Sequence, residues 1–221
     1  IQKVLIIIVT SNRGLCGAFN ANVIKQAVSK IKTKYIELEK NSLVDILCIG
    51  KKGADFFVKR KYNVVDTQTR ILDSLNFENA NPLVASLMKS FLQGKYDLIE
   101  IVYNQFKNAG VQILSTEQFL PLAKPKASVD QAKILSDYIF EPGKEQIITE
   151  LIPKTLKIQF YKMLLDSVAA EHGARMTAMH KATDNADNLL KELRLSYNKA
   201  RQASITKEIL EIVGGAEALK G

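Results

Sequence analysis

Tryptophan is absent from the 221 residues, and cysteine and histidine occur only twice each, as Cys16, Cys48, His172 and His180. Two lone cysteines exclude a disulfide scaffold and fit reduced thiols in a cytosol-like compartment. With so few thiols and imidazoles, and the histidines eight residues apart, neither a structural zinc site nor a helical metal pair is expected. No apolar run approaches the roughly 20 residues of a membrane-spanning helix. The strongest, residues 4–9, has the length of a buried strand. Nothing ahead of it resembles a signal peptide, and the start at Ile1 suggests a processed or truncated chain.

Charge narrows the partners. The formal net charge is +8 and the sequence pI about 9.3. Such a balance suits nucleic acid, an anionic surface or an acidic protein, or reflects basic residues spread over solvated faces. No dense Lys/Arg block and no RNA-recognition signature occurs, and acidic residues interrupt every basic stretch of the C-terminal region. No nucleic-acid partner is therefore expected.

With 47% hydrophobic residues the chain can build a core. Its first half alternates strand-like and helix-like segments. Strands are expected at 3–10, 43–49, 62–66, 96–103 and 111–116 from their β-branched, apolar runs. A helix is expected over 20–39, where Val23, Ile24, Ala27, Ile31, Tyr35 and Leu38 recur at three- and four-residue spacing. Others are expected over 52–61 and from Pro82 to Gly94, with Pro82 in the first turn. This alternation predicts an α/β layer fold with a largely parallel sheet covered on both faces. Residues 121–130 read as a linker or exposed loop, 137–140 as a short strand, and Glu141-Pro142-Gly143 as a turn. The expected domains are 1–150 and 151–221.

From Pro153 to Val213 there is no further proline and Gly173 is the one glycine, which predicts a single helix stopped by Gly214-Gly215. At 1.5 Å per residue it would run about 90 Å. Met179, Ala182, Ala186, Leu189, Leu193, Ser196, Ala200 and Ala203 follow alternating spacings of three and four, a coiled-coil seam. Several are small, so a partner helix could approach closely. Ile205, Ile209 and Ile212 continue an apolar stripe after a register shift. The α/β part should be only about 30 Å across, and no second long helix exists to fill the seam. A long helix lying on its own core is the plainer alternative.

No catalytic constellation is found. The strand followed by Gly14-Leu15-Cys16-Gly17 and a helix could hold a phosphate on helix N–H groups. It fits neither common glycine-rich phosphate motif, and a tight strand-to-helix turn accounts for both glycines. Gly50-Lys51-Lys52-Gly53 lacks the remaining P-loop residues. Cys16 beside Arg13 near a helix start could act as a nucleophile, but neither histidine is placed to serve as its base, and a packed free thiol fits better.

Three blocks carry a resemblance. They are Ser11-Asn12-Arg13-Gly14-Leu15-Cys16-Gly17-Ala18-Phe19-Asn20; then Ala174-Arg175-Met176-Thr177-Ala178-Met179 with Ala182-Thr183-Asp184-Asn185-Ala186; and Tyr197-Asn198-Lys199-Ala200-Arg201-Gln202-Ala203-Ser204-Ile205-Thr206 with Glu208-Ile209. Their order and placement resemble the F-type ATP synthase gamma subunit, of bacterial type. The resemblance implies a Rossmann-like α/β base and a long C-terminal helix forming half of an antiparallel coiled coil. It also implies that the family's N-terminal helix is missing from this chain.

It further implies a non-enzymatic rotor subunit of a proton-translocating synthase, without cofactor or metal, on the cytoplasmic face of a bacterial inner membrane. Partners would be the alpha and beta subunits, the epsilon subunit and the membrane c-ring. Beta-subunit contacts carry over onto Arg175, Arg201, Gln202, Thr206 and Glu208, and a ring-side contact onto Asp137, Tyr138 and Glu141. The competing reading is a phosphate- or nucleotide-binding α/β protein with a dimerising helix.

Overall fold

The structure, a computed structural model, describes residues 2–122, 141, 143, 145, 147–219 and 221. The expected strand at 137–140, with Asp137 and Tyr138, lies outside them, as does most of the expected loop at 121–130. Two compact units divide the chain, Ile1–Thr177 and Ala178–Gly221.

In the first unit, β1 (Val4–Val9), β2 (Val44–Ile49), β3 (Val64–Gln68), β4 (Leu98–Asn108) and β5 (Val111–Leu120) form one sheet in the order β3-β2-β1-β4-β5. β1 pairs in parallel with both β2 and β4, and β2 with β3. β5 returns antiparallel to β4. Helices α1 (Phe19–Lys34), α2 (Ile36–Lys40), α3 (Lys51–Lys59) and α4 (Phe77–Leu92) connect the strands, and α5 (Ile152–Ala218) follows a π-helical turn at Ile147–Leu151.

The run Val-Leu-Ile-Ile-Ile-Val of β1 is buried throughout because both sheet faces are covered. Side chains alternate across a strand, so Leu5, Ile7 and Val9 join Ala80, Val84 and Leu87 of α4 and Leu156, Phe160, Met163 and Leu164 of α5. Val4, Ile6 and Ile8 face Val23, Ile24, Ala27 and Ile31 of α1 and Ala54 and Phe57 of α3. The expected three-layer α/β architecture with a largely parallel sheet is what the residues build.

Four local expectations are corrected. The helix over 20–39 is broken at Tyr35 (φ −121°, ψ 21°), whose ring is buried in the α1 layer. α4 begins at Phe77, not Pro82, because Asn76 caps it, its Oδ1 accepting from Asn79 N at 2.7 Å. β4 and β5 run on past 103 and 116 as a long hairpin, since each extension satisfies the other's backbone groups. Finally, α5 passes through Gly214-Gly215 and ends at Ala218. Two glycines at roughly 1 kcal/mol each lower helix propensity without closing the helix.

Candidate shaft interface

Strand order reverses between β1 and β4, the place where open α/β sheets usually hold a ligand. Here the chain fills it itself. The loop after β1 folds back so that Cys16 and Phe19 pack against Ala170 and Ala174 of α5. Asn104 of β4 donates through Nδ2 to Phe19 O at 3.2 Å. Asn20 braces the loop from inside, its Oδ1 accepting Ser11 N at 2.9 Å and its Nδ2 donating to Cys16 Sγ at 3.2 Å.

The amides at the start of α3 are also committed. Lys51 N donates to Asn12 Oδ1, Lys52 N to Ser11 O and Gly53 N to Thr10 Oγ1, at 3.1, 3.1 and 2.9 Å. Gly50, at φ +100°, allows this approach, because a Cβ there would lie 2.0 Å from Thr10 O. The Gly50–Gly53 turn therefore presents no free N–H of residues 51–53 to a phosphate.

Thiol chemistry is likewise closed off. Cys16 and Cys48 are buried and free. Burial pushes the Cys48 thiol up to about 12. Among the described residues, no group of histidine, cysteine and acidic side chains could hold a metal ion.

Arg175 lies at the edge of this packed region. Its Nη2 pairs with Glu171 Oε1 at 2.6 Å, one helical turn back, and its Nε donates to Gly14 O at 3.3 Å. The first two sequence blocks thus meet through this guanidinium as well as through Ala174. Arg201, Gln202, Thr206 and Glu208 lie in the second unit, where every described residue from Met179 to Leu219 is exposed. Thr206 Oγ1 turns back to Gln202 O at 2.8 Å. Glu141 is exposed at a bend.

Helical geometry sorts the residues of the second unit into two faces. At 100° per residue, the 179–203 seam and the Ile205, Ile209 and Ile212 stripe lie about 150° apart. Arg201 and Glu208 flank that stripe on one side, and Gln202 and Thr206 on the other. Leu189, Leu193, Ile205, Ile209 and Ile212 are 47–72% exposed, far more apolar surface than an isolated helix keeps in water without a partner.

Sequence reasoning stopped the seam at Met179. Counted back at the same spacing it passes through Leu165 and Ile158, 43% and 51% exposed. They cover the side of α5 away from the core, and the periodicity alone could have found them. It also missed Gly173 and Thr177, for which only spatial neighbours give a signal.

Comparison with known proteins shows the family. A family model described as ATP synthase matches residues 1–219. The ATP synthase gamma chain of Flavobacterium psychrophilum is 56% identical over 221 residues, covering all of this chain and 74% of that one. The chain belongs to the ATP synthase gamma chain family.

Its relative in Flavobacterium johnsoniae is 57% identical over the same span, and that of Chlorobium limicola 44% over 220 residues, with 74% and 75% of those gamma chains covered. The fold agrees with a chain of the Euglena gracilis mitochondrial ATP synthase at a TM-score of 0.68 and 22% identity, covering 99% of this chain and 73% of that one. A chain of the Tetrahymena thermophila mitochondrial central stalk and c-ring gives 0.61 and 23%, covering 82% and 77%. Gamma chains are non-catalytic central-stalk subunits of F-type ATP synthases. With the family shown, the nucleotide-binding reading is set aside.

Proposed function

We propose that this chain is the central-stalk rotor subunit of a proton-translocating F-type ATP synthase, coupling rotation of the membrane ring to conformational change in catalytic beta subunits. In it, residues 1–150 act as the base and 151–221 as the shaft. The observation that carries the reading is the exposed apolar seam over 179–203 in a chain of the gamma family. A surface of small and aliphatic residues, each exposed from Met179 to Ala203, is built for a second long helix. Ile158 and Leu165 extend the track for that helix along α5.

The stripe roughly opposite the seam supplies the second contact. Ile205, Ile209 and Ile212, flanked by Arg201, Glu208, Gln202 and Thr206, offer an apolar strip with charged and amide edges, the composition of a specific protein interface. We assign it to the beta subunits within the alpha–beta assembly. Arg201 suits carboxylates, since its guanidinium makes bidentate pairs and no acidic residue occupies positions 197 or 205. Arg175, the remaining candidate, reaches a beta subunit only if it shares its guanidinium with Glu171 and Gly14. Asp137, Tyr138 and Glu141 belong to the reading as the side facing epsilon and the c-ring. Among the described residues no helix is long and apolar enough to cross a membrane. The bacterial relatives favour a peripheral place on the cytoplasmic face of an inner membrane, held through the ring.

Size-exclusion chromatography with purified alpha and beta subunits tests the assignment. The chain should co-elute with them. Equilibrium binding of a nucleotide to the chain alone, with no association with alpha and beta, would overturn it.

A further inference from the structure

The last turns of α5 within the first unit are seated against a single backbone turn. Ala109 and Gly110 join β4 to β5, and the turn is stiffened by Asn108, whose Oδ1 accepts Gly110 N at 3.1 Å and Val111 N at 2.7 Å. Gln112 Nε2 donates to Ala109 O at 3.2 Å. The same carbonyl lies within reach of Thr177 Oγ1, at 3.3 Å, whose proton has Gly173 O at 3.1 Å as its alternative.

Gly173 is the notch that lets the turn in. A Cβ at that position would meet Ala109 O at 2.8 Å, its Cα at 3.1 Å and its carbonyl carbon at 3.3 Å. Those are backbone atoms of a braced turn, so a larger residue must displace the hairpin or the helix. A neighbouring side of the helix is held by other means. Ala170 and Ala174 pack on Cys16 and Phe19, and Arg175 Nε reaches Gly14 O. Small residues at 170, 173 and 174 give close approach, and the polar contacts from 175 and 177 select one rotation of the helix within it. Dispersion alone would allow the helix to turn about its axis; two hydrogen-bonded points do not.

We propose that the Asn108–Val111 turn is a stop that fixes the rotational register of α5 on the α/β layer, with Gly173 and Thr177 as positioning residues. This rests on the rotor reading, in which any slack between base and shaft would be lost as uncoupled rotation.

The test uses the complete synthase carrying this chain, reconstituted in vesicles, with Gly173→Val, Thr177→Val and Thr177→Ser. ATP hydrolysis should stay close to wild type. Protons pumped per ATP should fall by about threefold or more in both valine variants, the size expected for a coupling contact, and Thr177→Ser should retain the wild-type ratio. In the chain alone, amide exchange at Gly110 and Val111 should quicken about tenfold in both valine variants. Thr177→Val is close to isosteric, so it decides the matter should Gly173→Val fail to fold. A wild-type pumping ratio in assembled Thr177→Val, or unchanged exchange at those two amides, would overturn the proposal. Failure of the unmutated chain to assemble with alpha and beta subunits would instead sink the rotor reading, with the exchange measurement still judging the grip.

Discussion

Arg175 Nε donates to Gly14 O across 3.3 Å, joining residues 161 positions apart in the chain. Removing the guanidinium by Arg175→Ala should therefore loosen the Ser11–Phe19 loop as well as lose the Glu171 pair. The expected cost is about 1–2 kcal/mol, the range for a charge-assisted hydrogen bond with partial exposure. Arg175→Lys should recover less than half of it, since an ammonium cannot hold both acceptors in the planar fork. Urea unfolding of the three proteins measures this. Equal midpoints would mean the contact contributes nothing.

Phe160 meets Phe119 of β5 at 5.5 Å between ring centroids, and both are 1% exposed. Phe160→Ala leaves a cavity between α5 and the sheet and should cost roughly 3–5 kcal/mol. Hydrogen exchange should show the loss as faster exchange over residues 152–170, with β1 and β2 least affected.

Glu100 is 3% exposed on β4 and faces two ammonium groups of α1, Lys30 Nζ at 2.9 Å and Lys34 Nζ at 3.1 Å. Burial pushes its carboxyl up, but Lys30 foremost, with Lys34 and Tyr35, outweighs that and holds it below the usual carboxylate range. A carboxylate depressed in the folded state contributes stability that is present above its unfolded value, about 4.3, and lost as pH falls through the folded value. Thermal melting between pH 7 and pH 3 should therefore show a steeper acid loss for the wild type than for Glu100→Gln. Glu100→Gln should itself be less stable at pH 7 by roughly 1–3 kcal/mol. Parallel pH profiles would rule out this role.

Cys48 should resist thiol reagents in the native chain at neutral pH, because it is inaccessible and its thiol is pushed up to about 12. Ellman's reagent should titrate neither it nor the buried Cys16 until denaturant is added. Fast native labelling of Cys48 would show that the β2 region opens far more readily than its packing implies.

Arg201→Ala combined with Gln202→Ala should leave the melting of the chain within about 0.5 kcal/mol of wild type, as both are exposed helix residues. In the assembled synthase the pair should lower coupled ATPase activity severalfold. Normal coupled turnover would remove them from the beta-subunit contact.

Much of this architecture was determined by the order of residues alone. A hydrophobic run such as Val4–Val9 has to be buried on both faces, and the spacing of Val23, Ala27 and Ile31 has to put one stripe of α1 on the sheet. The seam over 179–203 was equally legible, because a helix sets the angle between its own residues without help from elsewhere. The three sequence blocks pointed to the family that the comparisons then showed.

What only the tertiary structure decided are the relations between distant segments. The Asn76 cap that starts α4 is a local signal the reading passed over, but nothing local reveals that Gly214-Gly215 fails to end α5, since propensities of about 1 kcal/mol yield to context. Nor could spacing show that Gly173 admits the carbonyl of Ala109, or that Arg175 reaches Gly14. Those contacts exist because β4, β5 and the loop after β1 are delivered to one side of α5 by the strand order. Periodicity describes a single element, whereas a close approach between two backbones depends on where both are carried by the rest of the fold.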